Sequence, residues 1–305
     1  MEDRHSSFVA GQSDFPEELH FDLPEDCNMK NRLSSFWRRY IAWRLSYYRK
    51  LWFCKKYLKN HKEVLSASKS DAFRRFEFLS GEHFSISDPA TALQVFDEIF
   101  VVEDYKMRES RESQVVFDVG ANIGLFSLYA HMKQPNSRIF TIEANPGTFQ
   151  ILKKNIIENS LQTTVQIFNL ALSAEIGKIS FFSSPVSGWS SIFNLRGAQD
   201  GQQCAVDSIN LSAFCKREGV QKIDFLKMDI EGAEYDAILG DSDFFEVPIK
   251  ELVIEVDRQP RDQRYTYQDL INCLKCHYRS IKVVAHADLN YPLVYCQEIK
   301  SVVQR

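Results

Sequence analysis

The stretch that decides the fold is Val115-Val116-Phe117-Asp118-Val119-Gly120-Ala121-Asn122-Ile123-Gly124. It begins as a short apolar run that ends in an acid, and two glycines follow it. This pattern predicts a buried strand, a tight loop and the start of a helix. Glycine lets the backbone turn sharply and approach a ligand, and a helix N-terminus offers free N–H groups. Because open parallel sheets bind ligands beyond the carboxyl ends of their strands, this loop is the first candidate binding site.

Strand-like and helix-like segments alternate after this loop. Apolar runs such as Arg138–Glu143 and Ile223–Asp229 indicate strands, and periodic segments such as Leu125–Lys133 and Pro146–Asn159 indicate helices. The alternation predicts an α/β fold with a mainly parallel sheet, covered by helices on both faces. Further strands are predicted at Thr163–Asn169, Lys178–Ser183, Glu251–Asp257, Ile281–Ala285 and Leu293–Ile299, and further helices at Leu211–Glu218, Gly232–Leu239 and Tyr267–Tyr278.

Two of these predictions concern strand direction. Lys178–Ser183 has no helix before it, which favours an antiparallel strand or an inserted hairpin. The last two strands follow each other without a helix, which favours an antiparallel edge of the sheet.

The residues of the glycine loop distinguish two classes of cofactor. A dinucleotide fingerprint has glycine at a middle position so that the backbone can touch pyrophosphate, whereas this chain has Asn122 between Gly120 and Gly124. The acid before the loop, Asp118, repels pyrophosphate but suits the amino end of a methionine moiety. The loop therefore favours S-adenosylmethionine over a nicotinamide dinucleotide.

Acids stand at the ends of two further predicted strands. Glu143 follows the second strand, where a carboxylate can accept hydrogen bonds from both ribose hydroxyls; the alternative is an exposed strand-end acid. Asp229 and Glu231 follow the strand Ile223–Asp229, at the place where a sulfonium methyl would point. In the alternative interpretation Asp229 caps the next helix and Glu231 favours its first turn.

These motifs together resemble the FkbM family of S-adenosylmethionine-dependent methyltransferases. The resemblance covers about residues 95–285 and rests on five motifs in order: Asp118–Gly124, Glu143–Pro146, Asn169–Ser173, Val206–Ile209 and Lys227–Glu234. It implies a doubly wound, seven-stranded sheet and O-methylation of a hydroxyl on a sugar, polyketide or similar small molecule. The Val206-Asp207 segment departs mildly from the family pattern, which leaves the role of that motif open.

The resemblance also implies roles for individual residues. The cofactor would be held by Asp118, Gly120, Ala121, Asn122, Gly124 and Glu143, with Ala171 and Leu172 flanking the adenine. Asp229 would lie near the transferred methyl group, and we take it, with Glu231, as the predicted catalytic residue. Competing candidates for the base are Glu231, Glu255, Asp257 and His286. No metal is expected, although a divalent ion held by Asp229 and Glu231 is an alternative way to acidify the hydroxyl.

A small-residue loop, Ser183–Ser191, carries the tryptophan Trp189. One interpretation is a lid over the acceptor site, with Trp189 stacking on a sugar or ring. The other is a surface loop whose tryptophan is a buried anchor.

The chain before residue 115 divides into three regions by charge and pattern. Residues 1–29 carry eight acids against one arginine and predict an acidic mobile tail. Residues 30–63 hold eleven bases with no acid before Glu63, and their aromatic residues recur near helical spacing. Residues 64–114 are predicted to form a connecting helical region, in which Asp88-Pro89 is typical of a helix start. Residues 115–305 form the methyltransferase domain.

The basic aromatic helix of residues 30–63 has three interpretations: docking on the catalytic domain or a second subunit, membrane-surface association, or nucleic-acid contact. The net charge of −4 offers no overall basic field, so nucleic acid is not the expected partner. The N-terminus lacks a signal-peptide pattern and seven irregularly spaced cysteines predict no disulfide framework. We therefore expect a cytoplasmic protein, with a peripheral membrane location as an option.

Three functional classes stay open on sequence grounds. The first is a methyltransferase whose acceptor is a small molecule or glycan. The second is a protein or nucleic-acid methyltransferase that holds its substrate with the basic helix. The third is a non-catalytic binding module that kept the fold.

Overall fold

A computed structural model of the protein describes residues 48–66, 74–86, 88–183, 202–258, 260, 263–284 and 291–300. The α-helices are α1 (48–57), α2 (His61–Ser66), α3 (Pro89–Phe96), α4 (Leu125–Lys133), α5 (Pro146–Glu158), α6 (Leu211–Glu218), α7 (Glu234–Leu239) and α8 (Tyr267–His277). The strands are β1 (Arg75–Glu77), β2 (His83–Ser85), β3 (Val115–Val119), β4 (Arg138–Ile142), β5 (Val165–Phe168), β6 (Ala171–Leu172), β7 (Gly177–Ser183), β8 (Gln202–Ile209), β9 (Ile223–Met228), β10 (Ile249–Glu255), β11 (Tyr278–Val284) and β12 (Leu293–Ile299).

The central sheet has seven strands in the order β11-β12-β10-β9-β3-β4-β5. The pairs from β10 to β5 are all parallel, whereas β12 is antiparallel to both of its neighbours. This confirms the predicted mainly parallel, doubly wound sheet, and the predicted antiparallel edge is the final pair, with β11 outermost. Because β3 is the central one of the five parallel strands, the glycine loop that follows it lies at the centre of their shared carboxyl edge.

Alternate residues of the central strands bury opposite faces of the sheet. Val116 and Phe225 belong to an apolar cluster with residues of α3, α4 and α5. Phe117 and Leu226, one position on, belong to a second cluster with residues of α6, α7 and α8. Both faces are therefore covered by helices, which explains why these strands read as continuous apolar runs in the sequence.

One row across the sheet is polar. The strand register places Asp118 beside Thr141 on β4 and beside Lys227 on β9. Ser127 of α4 lies over this row and hydrogen-bonds both Asp118 and Thr141. All four side chains are buried, so they form a polar cluster near the carboxyl edge on the face that α4 covers.

A smaller sheet has the order β6-β8-β7. β7 pairs antiparallel with β8 from Gly177–Ser208 to Ser183–Gln202, which confirms that the segment 178–183 belongs to an antiparallel pair. β8 was not predicted as a strand. The loop between the two strands, including Trp189, lies outside the described residues.

The chain before β3 packs on the face covered by α4 and α5. Phe53 and Cys54 of α1 and Phe76 of β1 are buried in the same apolar cluster as α3. The predicted start of α3 is confirmed, since the Asp88 carboxylate accepts from Thr91 N at 2.8 Å. A π-helical segment, Asp97–Val102, continues α3.

Two findings bear on the predictions for the chain before β3. The antiparallel hairpin β1–β2 lies within the region that was predicted as helical and connecting, and it was not foreseen. Residues 1–29 and most of the basic segment 30–63 lie outside the described residues. A membrane or subunit contact through residues 30–63 therefore remains a prediction. Within the described part of the chain, no helix has the length and apolarity needed to cross a bilayer.

Candidate cofactor and acceptor cleft

A cleft opens beyond the carboxyl ends of β3, β4 and β9 and contains about 890 Å³ of space, counting the part open to solvent. The structure brings eight of the predicted site residues together on its walls: Gly120, Ala121, Asn122, Glu143, Ala171, Leu172, Asp229 and Glu231. They come from three different loops and from β6. The sheet topology is what gathers them, because parallel strands end at the same edge.

The glycine loop is fixed against both neighbouring strands. Gly120 N and Ala121 N both donate to Ile142 O at 3.0 Å, at the end of β4. On the other side, a Cβ at Gly120 would lie 1.6 Å from Asp229 O, and the residue has φ +76. Only glycine lets the loop lie this close to the end of β9.

Glu143 holds the loop after β3 to the loop after β4. Its Oε2 accepts from Asn122 N and its Oε1 from Asn145 N, each at 2.8 Å. The carboxylate is buried rather than exposed, against the alternative interpretation of this acid. Burial raises the pKa of Glu143 to about 7, although the two backbone hydrogen bonds oppose the rise. A carboxylate can accept about four hydrogen bonds, so this one retains acceptor capacity toward the cleft.

Lys227 lies behind the loop in the polar row. Its ammonium donates to Gly120 O at 2.6 Å and lies 3.4 Å from Asp118 Oδ1 and 3.8 Å from Asp229 Oδ2. Burial lowers the pKa of Lys227, but the negative charges of Asp118 and Asp229 outweigh it and raise the pKa above its ordinary value. The side chain is therefore a buried ammonium and has no capacity to act as a base near neutral pH.

Asp229 and Glu231 belong to the loop between β9 and α7. The backbone of Asp229 is tied to β3, since its N–H donates to Val119 O at 3.1 Å. Its side chain is 31% exposed and faces the cleft. The helix cap of α7 is Ala233, so the alternative in which Asp229 caps this helix is wrong. Glu231 has φ +56, an uncommon backbone conformation that places the acid at the cleft wall.

The same loop depends on a second buried acid, Glu234. Its Oε1 accepts from Ile230 N at 2.9 Å, while Oε2 is buried and has no hydrogen-bond partner in the part of the chain that the structure describes. Burial raises the pKa of Glu234 to about 8, with a smaller contribution from the charge of Asp229.

One wall of the cleft comes from the chain before β3. Val95, Glu98 and Ile99 of α3 and the π-helical segment line it together with Tyr105. The Tyr105 hydroxyl donates to Glu255 Oε2 at 3.3 Å. Burial, with the charges of Asp229 and Glu255, raises the pKa of Tyr105 well above its ordinary value, which keeps the hydroxyl neutral. No local pattern in the sequence pointed to these residues.

Some predicted residues lie off the cleft. Asp118 and Gly124 do not line it, so the structure does not place the Asp118 carboxylate where a ligand would touch it. Asp118 instead accepts from Ser127 Oγ at 2.7 Å and faces Lys227. The alternative bases Glu255 and Asp257 do not line the cleft either, whereas His286 lies outside the described residues. In the described part of the chain, no three His, Cys, Asp or Glu side chains cluster as metal ligands do.

The chemistry of the walls fits S-adenosylmethionine better than a dinucleotide. Four carboxylic acids line the cleft, at Glu98, Glu143, Asp229 and Glu231. The ammonium on the described walls is Lys227, which is already engaged by Gly120 O. Pyrophosphate would meet this acidic surface with repulsion, whereas a sulfonium and an ammonium group would be attracted. The apolar pair Ala171 and Leu172 offers a surface for a purine ring.

The fold and this cleft define a methyltransferase of the doubly wound α/β class. Residues 118–280 match the family model described as the methyltransferase FkbM domain. Since the match spans more than half of the chain, the protein belongs to the FkbM methyltransferase family, as its five motifs predicted.

Two curated relatives illustrate this membership. The chain is 26% identical over 264 residues to the 31-O-demethyl-FK506 methyltransferase FkbM of Streptomyces tacrolimicus, covering 77% of this chain and 98% of that protein. It is 27% identical over 157 residues to the hexuronic acid methyltransferase AglP of Haloferax volcanii, covering 48% of this chain and 62% of that protein. Among solved structures, the FkbM methyltransferase of Methylobacillus flagellatus KT is 17% identical with a TM-score of 0.41, over 69% of this chain and 54% of that one.

Proposed function

We propose that the protein transfers the methyl group of S-adenosylmethionine to a hydroxyl oxygen of a small molecule or glycan. The observation that carries this proposal is that residues at the carboxyl ends of β3, β4 and β9 line one cleft. Glu143 and the glycine loop line it together with Asp229, which directly follows β9. The two relatives support the acceptor class, since the name of one specifies an oxygen position and that of the other a sugar acid.

The cofactor end of the cleft would use Gly120, Ala121, Asn122 and Glu143 for the ribose and methionine parts. Ala171 and Leu172 would flank the adenine. S-adenosylmethionine, when bound, supplies an electrophilic methyl carbon on a sulfonium that leaves as a neutral thioether. The ionised Glu143 would accept hydrogen bonds from the ribose hydroxyls, and the backbone contacts of its two oxygens would hold it in place.

Asp229 would be the general base. As the acceptor oxygen forms its bond to the methyl carbon, the hydroxyl proton would pass to the Asp229 carboxylate. Glu231, two residues further along the same loop, also lines the cleft. The wall of Val95, Ile99 and Tyr105 would exclude water from the reacting atoms and contact the acceptor, with Trp189 as a further acceptor contact predicted from sequence.

The test is methyl transfer from labelled S-adenosylmethionine to components of a host extract, followed by identification of the labelled product. Wild-type protein should yield a labelled ether. Asp229→Asn should lower turnover by ~100-fold or more while S-adenosylhomocysteine still binds, because a general base contributes to the rate and not to cofactor affinity.

Asp243→Asn is the matched control, because it makes the same chemical change at an exposed position outside the cleft. It should retain full turnover. Full turnover by Asp229→Asn with unchanged cofactor affinity would reject the base assignment. A labelled protein or nucleic acid in place of a small product would favour the second functional class. Absence of both labelled product and cofactor binding would favour a non-catalytic module.

A further inference from the structure

A lysine in the middle of a buried strand requires an explanation. Lys227 lies on β9, whose six residues are all buried, and its side chain is only 5% exposed. Burying an ammonium costs several kcal/mol unless charges and hydrogen bonds compensate it. The surroundings of Lys227 therefore show what the residue is for.

The compensating groups lie on two sides of the ammonium. Behind it is Asp118, whose Oδ1 lies 3.4 Å away and has no hydrogen-bond partner among the described residues. In front are Gly120 O at 2.6 Å and Asp229 Oδ2 at 3.8 Å. The ammonium also donates to Val119 O at 3.5 Å, and the ring of Tyr105 lies 5.5 Å from it.

The front contact falls on the residue that shapes the cofactor loop. Gly120 donates its N–H to β4 and receives the Lys227 ammonium at its carbonyl, so both of its peptide groups are fixed. A Cβ added to the same residue would lie 1.6 Å from Asp229 O, directly after β9. Lys227 is thus the one side chain on the described cleft wall that joins the loop, the polar row and Asp229.

We propose that Lys227 is a positioning residue that holds the Gly120 carbonyl, and with it the cofactor loop, while Asp118 acts as its buried counter-ion. The inference rests on the proposed cofactor site and gives Asp118 a role other than contact with the cofactor. It also separates two effects of the lysine. Asp118 needs the charge of Lys227 for stability, whereas the loop needs its hydrogen bond for geometry.

Three variants separate these effects: Lys227→Met, Asp118→Asn and the double variant. Methionine has a similar shape but no charge and no donor. Lys227→Met alone leaves Asp118 as an unpaired buried carboxylate, so Tm should fall by ~6 °C or more. In the double variant neither position 118 nor position 227 carries a buried charge. Most of that fall in Tm should therefore be recovered.

Cofactor affinity should behave differently from Tm. Titration calorimetry with S-adenosylhomocysteine should show binding by Lys227→Met at least tenfold weaker than by wild type. The double variant should stay at least tenfold weaker than Asp118→Asn, because its Gly120 carbonyl still lacks the donor. If Lys227→Met does not fold, the double variant and Asp118→Asn carry the comparison alone.

Lys222→Met is the matched control. Lys222 precedes the same strand, is largely exposed and pairs with Asp224 at 3.1 Å away from the cleft. It should keep wild-type affinity, so that a loss of affinity in Lys227→Met is not a general effect of removing a lysine beside a buried acid. Recovery of affinity by the double variant to the level of Asp118→Asn would overturn the proposal, since Lys227 would then act only as a charge partner. Failure of wild type itself to bind S-adenosylhomocysteine would instead reject the proposed function.

Discussion

Gly120, in the loop after β3, packs directly against the backbone of Asp229, the residue that follows β9. A side chain there would overlap the backbone of Asp229 at 1.6 Å, which is a clash with backbone rather than with a mobile side chain. The glycine was predicted from sequence because a tight turn at a strand end needs it. Its contact with β9 was not predicted, because that contact depends on strand order in the folded sheet.

Gly120→Ala should therefore cost far more stability than the backbone conformation alone explains. Gly219→Ala is the control, because Gly219 has a similar φ of +67 but nothing within 4 Å of the Cβ that would be added. The control should lose ~1 kcal/mol. Gly120→Ala should lose several times as much in urea unfolding, and equal losses would contradict the packing described for the loop.

Glu143 gives the cofactor site a dependence on pH. Its pKa is raised to about 7, and the ionised form is the one that accepts hydrogen bonds from a ribose. Affinity for S-adenosylhomocysteine should therefore rise ~10-fold from pH 6 to pH 8 in calorimetry. Glu143→Gln should bind more weakly and lose this dependence.

Glu175→Gln, an exposed change beyond β6, should retain the full pH dependence of the wild type. A pH profile for Glu143→Gln that matches that of wild type would assign the titration to another group.

At the scale of elements, the loop between β9 and α7 is held by Glu234, an ionisable side chain that is buried. Glu234 begins α7, where an acid favours the helix dipole, and its Oε1 caps Ile230 N. Yet its other oxygen is buried and receives no hydrogen bond from any described residue. An acid at a helix start is predictable from sequence, whereas its burial is not.

The burial of Glu234 makes the stability of the folded protein depend on pH. A carboxyl whose pKa rises on folding, from 4.5 to about 8 for Glu234, binds its proton more tightly in the folded state. Its stabilising contribution is complete below pH 4.5 and is lost as the pH rises through 8. Glu143 acts with the same sign up to about pH 7.

Wild-type stability should therefore fall between pH 6 and pH 8, with roughly 2 kcal/mol of the fall from Glu234. Urea unfolding at the two pH values should show that Glu234→Gln reduces the fall by about this amount. Glu246→Gln, on the exposed turn after α7, should leave the fall unchanged. A fall as large in Glu234→Gln as in wild type would show that this carboxyl does not titrate there.

Elements with strong local signals were predicted with their observed bounds. α4, α6 and β12 have the predicted limits, since a clear apolar pattern defines each. β1 and β2 were missed because strands of three residues have too few positions to show alternation. β8 was missed for another reason: it is recognisable only through its pairing with β7.

At the scale of the whole molecule, the cleft has walls of two origins. The proposed cofactor-binding residues lie within the family match at 118–280, and sequence motifs pointed to them. Val95, Glu98, Ile99 and Tyr105 precede that match and also line the cleft. They could not be predicted, because a helix that packs across the sheet reaches the cleft through tertiary contacts without a motif of its own.

This division suggests where members of one family differ. A shared cofactor site and a wall from a preceding segment would allow one reaction with different acceptors. The apolar cluster that joins α1, the hairpin β1–β2 and α3 to α4 holds that wall in place. Acceptor choice would then be set by packing outside the cofactor motifs.

The most direct test of the account is calorimetric titration of S-adenosylhomocysteine into wild type, Ala171→Trp and Ala205→Trp. Ala171 is buried on the cleft wall, whereas Ala205 is exposed on the neighbouring strand of the same small sheet. Wild type and Ala205→Trp should bind one equivalent with equal affinity, and Ala171→Trp should fold but not bind. Equal binding by all three proteins would place the cofactor outside this cleft, and absence of binding by wild type would contradict the proposed function itself.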